Sequence, residues 1–502
     1  MNATEPSSGA DAARSGELTA SAPPVARRCR PRTAAFVVAA ILALSFSYDL
    51  MRMPVQVSDS FIEMLDAQQS PSLTAMFVSI AQRQAYFRPL RLVQIKALFD
   101  VADGHYWLVY RGFHALLLCI ALWLFTRALR VRSWPEFAAA MFALTVFTGI
   151  HTFRGLVQEA FPINHFLEIV VFCLVALNLA QSRGGWWVDV AAVLTFVAAS
   201  LTLESGLLVW VVIAGSWISG LRGISKRGVV ATTVVLGAYF WVRFQFLSVG
   251  TPGLDERSSG FGTTLLEPED LVRRFGADPT WFYLYNIASS MLTVLFSEPD
   301  RGIFHVGRAW LQEEIPARLY LKIVPSVITT GLLIWVAVHR LKNRTKGTFR
   351  LTDQFFVLFG IVLVTNSVMS YPYTKHEIMS VAGTFYALAT FAVASCVIER
   401  LQGQLGAGAL SRAGRFVVGS LLVAVATMWA FRAVGMHYML QVQAFNERNE
   451  WARLDTERLG DRDYRSDASA RALAVQLRRD ALEMRISNPR LMPRWAQTWW
   501  AE

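Results

Sequence analysis

The sequence predicts an all-α polytopic membrane protein, and three observations carry that expectation. Of 502 residues, 54% are hydrophobic and only 17% charged, where an ordinary soluble domain has about a quarter charged. The mean hydropathy is +0.37, and the missing charge is concentrated in long apolar windows of spanning length. Lys and Arg collect between those windows, the distribution that orients spans with their basic loops in the cytoplasm. The net charge of +11 is therefore assigned to topology, and no nucleic-acid partner is expected.

Residues 1–32 are rich in Ala, Ser, Pro and Gly and end in "ARRCRPR". No small-residue cleavage site follows the first apolar run, so a disordered cytoplasmic tail and a retained first helix are expected, not a cleaved signal peptide. Twelve apolar segments follow, at 33–50, 106–129, 135–152, 163–180, 187–203, 205–221, 229–248, 281–297, 319–339, 354–371, 378–398 and 416–435. With Arg27, Arg28, Arg30 and Arg32 inside, basic clusters recur after every second span. Arg127, Arg130 and Arg132 follow the second, Arg183 the fourth, and Arg222, Lys226 and Arg227 the sixth. The window 187–221 divides into two short helices at "ESG" (204–206), because one long helix would export "LRGISKR". The segment 281–297 is expected to be re-entrant or interfacial. A crossing there would place "HRLKNRTKGTFR" (339–350) outside, together with Arg400, Arg412 and Arg415.

The resulting architecture has about eleven transmembrane helices plus one re-entrant or interfacial helix. The membrane domain covers 33–435, with outer loops 49–105 and 249–318, and a helical extracytoplasmic tail covers 436–502. In the first loop, "SFIEMLDAQQ" and "SLTAMFVSIAQ" are amphipathic and suit the membrane interface. The tail carries the helical run "DASARALAVQLRRDALEMR" and ends in the tryptophan-rich "RWAQTWWAE". Cys29, Cys119, Cys173 and Cys396 lie far apart and mark no disulfide framework or metal-ligand spacing. No HExxH-type zinc spacing occurs either.

With this topology the unusual polar residues fall on one face. Asp49, Asp59 and Glu63 follow the first span, and Arg88 and Arg91 sit in "AYFRPLRLV" (85–93). Glu159 and His165 lie between the third and fourth spans, Glu204 in the hairpin, Arg243 near the end of the seventh span, and Lys375, His376 and Glu377 in "YPYTKHE". Such a face suits an enzyme that joins a lipid-phosphate substrate to a water-soluble acceptor. A carboxylate would serve as general base or hold a divalent metal; Asp59, partnered by Glu159, fits that role. Cations would hold the phosphate and stabilise the charge growing on it; Arg88, Arg243, Lys375 and His376 fit that one. Glu63, His165 and Glu204 are supporting candidates. Plainer roles compete: Asp49 and Asp59 as a solvated helix end, Arg91 and Arg243 as interfacial anchors, Glu204 as a helix N-terminal acid, and His165 and His114 as structural histidines. No metal is evident from spacing; if one is used, a hard cation such as Mg²⁺ or Mn²⁺ suits carboxylates.

In their order, these features resemble the GT-C superfamily of membrane glycosyltransferases, and its protein O-mannosyltransferase-like branch in particular. The resemblance is carried by "YFRPL" (86–90) ahead of "YWLVYRGFHALLLCIALWLF" (106–125). "LTLESG" (201–206) is similar to that branch's Lys-Glu turn, with Leu203 in place of the lysine, and "SYPYTKHEIMSVAGTFYAL" (370–388) is similar to its late loop and helix. It covers roughly residues 33–400. It implies transfer of a sugar from a polyprenyl-phosphate donor to a lipid, glycan or protein acceptor at the extracytoplasmic face of a bacterial inner membrane. The charge-based topology independently gives a cytoplasmic N-terminus and, for a bacterial source, a periplasmic C-terminus. Asp59 would be the catalytic or metal-associated acid, although "SDSF" stands where many members show paired acids. Glu159 would be its partner, and Arg88 with Lys375 or His376 would hold the donor phosphate. The rival expectations are a transporter or flippase of a lipid-linked glycan, with ionisable residues at mid-membrane and repeated halves, or a non-catalytic membrane scaffold.

Overall fold

The computed structural model describes residues 30–81, 87–158, 162–248, 257–260, 263–296, 303–312, 317–342, 351–406, 412–454, 458–459, 462–463 and 467–489. Helix α1 (Pro31–Leu50) starts on a proline, where the missing N–H costs nothing. Three short helices then form the first loop: α2 (Ser58–Gln69), α3 (Leu73–Ala81) and α4 (Pro89–Ala102). The first two coincide with the amphipathic stretches read from the sequence. Next come α5 (Tyr106–Leu129), α6 (Trp134–Gly149), α7 (Phe153–Gln158), α8 (His165–Ala180) and α9 (Trp186–Thr202). A 3₁₀ turn, Glu204–Leu207, leads into α10 (Leu208–Ile218), and α11 (Lys226–Phe240) runs on as a π-helical turn, Trp241–Phe246. The second half holds a small hairpin of β1 (Ser258–Gly260) and β2 (Thr263–Leu266), then α12 (Pro268–Phe275), α13 (Thr280–Phe296), α14 (Ile303–Leu311), α15 (Ala317–Lys342), α16 (Leu351–Met369), α17 (Ser380–Gly406) and α18 (Arg412–Arg453). A two-residue-strand hairpin and α19 (Ala468–Glu483) follow.

Among the described residues, seven helical stretches are long and apolar enough to cross a bilayer: Pro31–Leu50, Tyr106–Leu129, Lys226–Phe246, Leu319–Arg340, Leu351–Met369, Ser380–Gly403 and Gly419–Arg453. Three more are apolar but shorter: His165–Ala180, Trp186–Thr202 and Glu204–Ile218. The protein is thus predominantly helical, as expected of an integral membrane protein. The split at "ESG" is present, and Gly206 explains its tightness, since a Cβ there would strike the Ala199 carbonyl.

Contacts between helix ends give the bundle two distinct ends. At one, Asp189 accepts from the Ser225 N–H (2.8 Å) and hydroxyl (2.6 Å), Arg130 donates to the Gln181 carbonyl, and the Arg400 guanidinium lies 4.8 Å over the Trp335 ring. At the other, the Ser380 hydroxyl donates to the Thr152 carbonyl (3.2 Å), and His437 meets Asp49 at 2.5 Å. We call these the basic end and the paired end. The starts of α13 and α15 both lie toward the paired end. Asn286 donates to the Tyr371 carbonyl (2.8 Å) and the Ser259 carbonyl (3.2 Å), while Arg432 donates to the Lys322 carbonyl (2.9 Å) and Ser326 Oγ (2.8 Å). The last turn of α13 reaches only the middle of α15, where the Thr330 hydroxyl donates to the Leu295 carbonyl at 2.5 Å.

The last apolar helix is longer than the run 416–435 that marks it in the sequence. It is unbroken to Arg453; 42 residues at 1.5 Å rise make about 63 Å, twice a hydrocarbon core of about 30 Å. Its polar extension stays helical because it packs under the first loop, where Trp451 Nε1 donates to the Val55 carbonyl at 2.6 Å. Leu473 and Leu477 of α19 bury against the same small core as Phe61, Met64 and Leu65 of α2 and Tyr110 of α5. The tail and the first loop are therefore one folded layer on the paired end.

Candidate functional site

Proline at position 89 opens α4 and keeps the preceding residue out of helical backbone. Arg88 (φ −129°, ψ 52°) consequently leaves the helix start sideways, and its Nε and Nη2 both lie 2.6 Å from Glu204 Oε2. Glu204 is supplied by the hairpin turn between α9 and α10. Its other oxygen, Oε1, is 3.5 Å from Arg243 Nη1, and the same Nη1 donates to the Tyr239 hydroxyl at 2.9 Å. Arg243 owes its position to the π-helical turn, which shifts the end of α11 out of α-helical phase; such turns recur at functional sites. Two guanidiniums thus share one carboxylate. Burial alone would raise the Glu204 carboxyl, but Arg88 and Arg243 outweigh it and hold it below the ordinary carboxylate range.

Further along α4, Arg91 donates to Glu63 Oε1 of α2 at 2.5 Å. Arg91 is not an exposed anchor: it is buried, because α4 packs against α2, α3, α5 and α9. Burial pushes the Glu63 carboxyl above its ordinary value despite the neighbouring guanidinium. Asp59, one turn before Glu63, is exposed and acts on it electrostatically. Three residues beyond Arg91, Gln94 donates to Glu168 Oε1 (2.5 Å), and Glu168 Oε2 lies 3.0 Å from His165 Nδ1. Arg88 and Arg91 act on this imidazole from the α4 side. Among the described residues, Glu63 Oε2, Gln94 Oε1, His165 Nε2 and Arg243 Nε are buried in this region without a hydrogen-bond partner.

The structure therefore brings Asp59, Glu63, Arg88, His165, Glu204 and Arg243 into one charged network. Lys375 and His376 belong to a second group. There Lys375 Nζ lies 3.8 Å and His376 Nδ1 3.5 Å from the Glu377 carboxylate, and the His151 and His376 rings are 5.1 Å apart. The loop is held close by Gly155, where a Cβ would collide with Glu377. Glu159 and Tyr86 lie outside the described residues. Glu204 is both the ion-pair centre and the acid in the first turn of the 3₁₀ helix, directly after the cap residue Leu203. Asp49 is taken by His437, which also stacks on Phe46 at 4.1 Å. His114 Nε2 donates to the Leu156 carbonyl, 2.7 Å away, a structural contact inside the bundle.

Four partners were not singled out from the sequence: Gln94, Glu168, Tyr239 and His437. Two of them carried a local signal. His165 and Glu168 stand three residues apart, the spacing that shares a helix face, and Tyr239 and Arg243 stand four apart. Gln94 and His437 carried none. Among the described residues, no group of three or more His, Cys, Asp or Glu is arranged to hold a metal ion. An open cleft of about 430 Å³ runs along the outer part of α18, between Phe445 and Leu454, and contains none of these residues. No known protein family, curated protein or solved structure matches the chain.

Proposed function

We propose that the protein is a membrane glycosyltransferase that moves a sugar from a polyprenyl-phosphate donor to a lipid, glycan or protein acceptor at the paired end of the bundle. One observation carries it: Arg88 and Arg243 converge on the single carboxylate of Glu204, leaving one positive charge in excess at a helix-end face. Guanidiniums already oriented by a carboxylate suit a lipid phosphate, because they present fixed donors and need little rearrangement as charge develops on it. In this mechanism Arg88 and Arg243 hold the donor phosphate. Asp59, exposed at the start of α2, faces the aqueous side and receives the acceptor or organises a Mg²⁺- or Mn²⁺-like cation. Lys375 and His376 serve the donor phosphate, or a neighbouring lipid phosphate, at the rim.

The paired end is taken as extracytoplasmic, with a cytoplasmic N-terminus and a periplasmic tail in a bacterial inner membrane. The positive-inside rule supports this orientation, since the Arg and Lys clusters gather at the other end. In the same frame the chain crosses about eleven times and α13 is re-entrant, entering and leaving on the paired side. Charged groups gathered at helix ends favour surface chemistry over a transport path, which wants them at mid-membrane.

The test compares wild type, a deletion, Arg243→Gln and Asp59→Ala in cells, matched for expression, by mass spectrometry of surface glycans, glycolipids and glycoproteins. One defined sugar should be missing from the deletion and from Arg243→Gln. Identical profiles for wild type and deletion would overturn the proposal.

A further inference from the structure

We infer that His165, held by Glu168 and Gln94, is the proton acceptor of the transfer reaction. The inference rests on the glycosyl-transfer reading above and adds the base to it. His165 and Glu168 are the most deeply buried ionisable pair in the network, 1% and 4% exposed. A carboxylate can only accept, so the 3.0 Å contact of Nδ1 with Glu168 Oε2 fixes the ring proton on Nδ1. The lone pair then stays on Nε2, which is buried and, among the described residues, has no hydrogen-bond partner. An unmet buried acceptor is unfavourable, and a hydroxyl donor would satisfy it. Glu168 cannot swing away, because Gln94 holds its second oxygen at 2.5 Å. The ring's position is also set from behind. Asn164 caps α8 by accepting from the Leu167 N–H (2.9 Å) and donates to the Gly155 carbonyl (2.9 Å).

This is the arrangement of a positioned base: an acceptor nitrogen, an orienting carboxylate, and a residue that orients the carboxylate. Asp59 lacks it, being exposed. The acceptor hydroxyl oxygen forms a bond to the anomeric carbon, and its proton passes to His165 Nε2. The bond from the anomeric carbon to the phosphate oxygen breaks, its electron pair leaving on the phosphate between Arg88 and Arg243. The imidazolium then loses its proton to water. His165 and no other group of the dyad would touch substrate; Glu168 and Gln94 are positioning residues. The charged groups that act on the ring are Glu168 from its own helix and Arg88 and Arg91 from α4.

The test uses the full chain in nanodiscs, with the sugar identified in cells as the transfer readout and sugar-free polyprenyl phosphate as the binding probe. His165→Asn keeps a donor toward Glu168 and removes Nε2. It should lower transfer about 100-fold or more while polyprenyl-phosphate binding stays within about twofold of wild type. It should also abolish the acid limb of the pH–rate profile. Glu168→Gln should lose less, with that limb displaced rather than absent. Transfer by His165→Asn within about threefold of wild type would overturn the assignment and leave the transfer reading intact, with Asp59→Ala then expected to be the inactive variant. Equal loss of binding and transfer in both His165→Asn and His165→Gln would make His165 structural and also overturn it. If wild type and deletion carry the same sugars, the transfer reading itself falls.

Discussion

The two ends of the helical bundle are built from the same residue types and use them in opposite ways. At the basic end, several cations settle on backbone carbonyls and aromatic rings. Arg130 and Arg222 donate to backbone carbonyls, and Arg127 and Arg400 lie over Trp123 and Trp335 at 5.4 and 4.8 Å. At the paired end several cations meet acids, Arg88 and Arg243 with Glu204, Arg91 with Glu63, His165 with Glu168 and His437 with Asp49, while Arg111 donates to the Met53 and Pro54 carbonyls. Cations on carbonyls and rings close helix ends and anchor them at an interface, a task any basic residue of the right reach can perform. Paired charges withdrawn from water are costly unless their geometry is good, so a cluster of them at one end marks that end as the place where chemistry is expected.

The sharpest way to break this contrast is Glu204→Ala. It strands two guanidiniums, one of them buried, and should cost about 3 kcal/mol, the low end for a buried pair because Arg88 keeps some contact with water. The measurement is the unfolding midpoint in detergent, and an unchanged midpoint would mean the network carries no stability. At the basic end, Asp189→Ala removes two hydrogen bonds from Ser225 and should cost about 1–2 kcal/mol. Polyprenyl-phosphate binding should be untouched; a loss of binding there would erase the distinction between the ends.

Acid titration probes the paired end more gently. The folded Glu204 carboxyl lies below its ordinary value of 4.5, so its contribution is present above that pH and disappears as the pH falls through the folded value. Glu63 is shifted upward, so its contribution is present below 4.5 and is lost as the pH rises through its folded value. Glu204→Gln should therefore lose less stability than wild type on acidification below 4.5, by thermal unfolding against pH. A larger loss would mean that the ionised Glu204 carboxylate does not stabilise the fold. The smallest effect belongs to Arg127→Gln, whose ring contact is exposed. It should stay within about 0.5 kcal/mol of wild type, and a larger shift in the unfolding midpoint would show that the basic end is structurally tighter than its contacts suggest.

Helix positions were legible because apolar content and charge are local properties. α5 occupies the run 106–129 that the sequence marks, and the break at "ESG" followed from where a basic cluster could reside. The site was half legible. Arg88, Glu204 and Arg243 could each be singled out as a polar residue beside an apolar window, without any indication that they meet. Their pairing joins residues 116 positions apart, and His437 joins Asp49 across 388, separations over which no periodicity carries information. The burial of Arg91 and the long reach of α18 also depend on neighbours supplied from elsewhere in the chain.

By itself, then, the sequence determined that this chain is helical and apolar, with its basic residues collected between spans, since each of these is written in a stretch of about 20 residues. Only the tertiary structure decided which charges are partners, because pairing depends on which helix ends share a face and how far each side chain must be buried to reach the next.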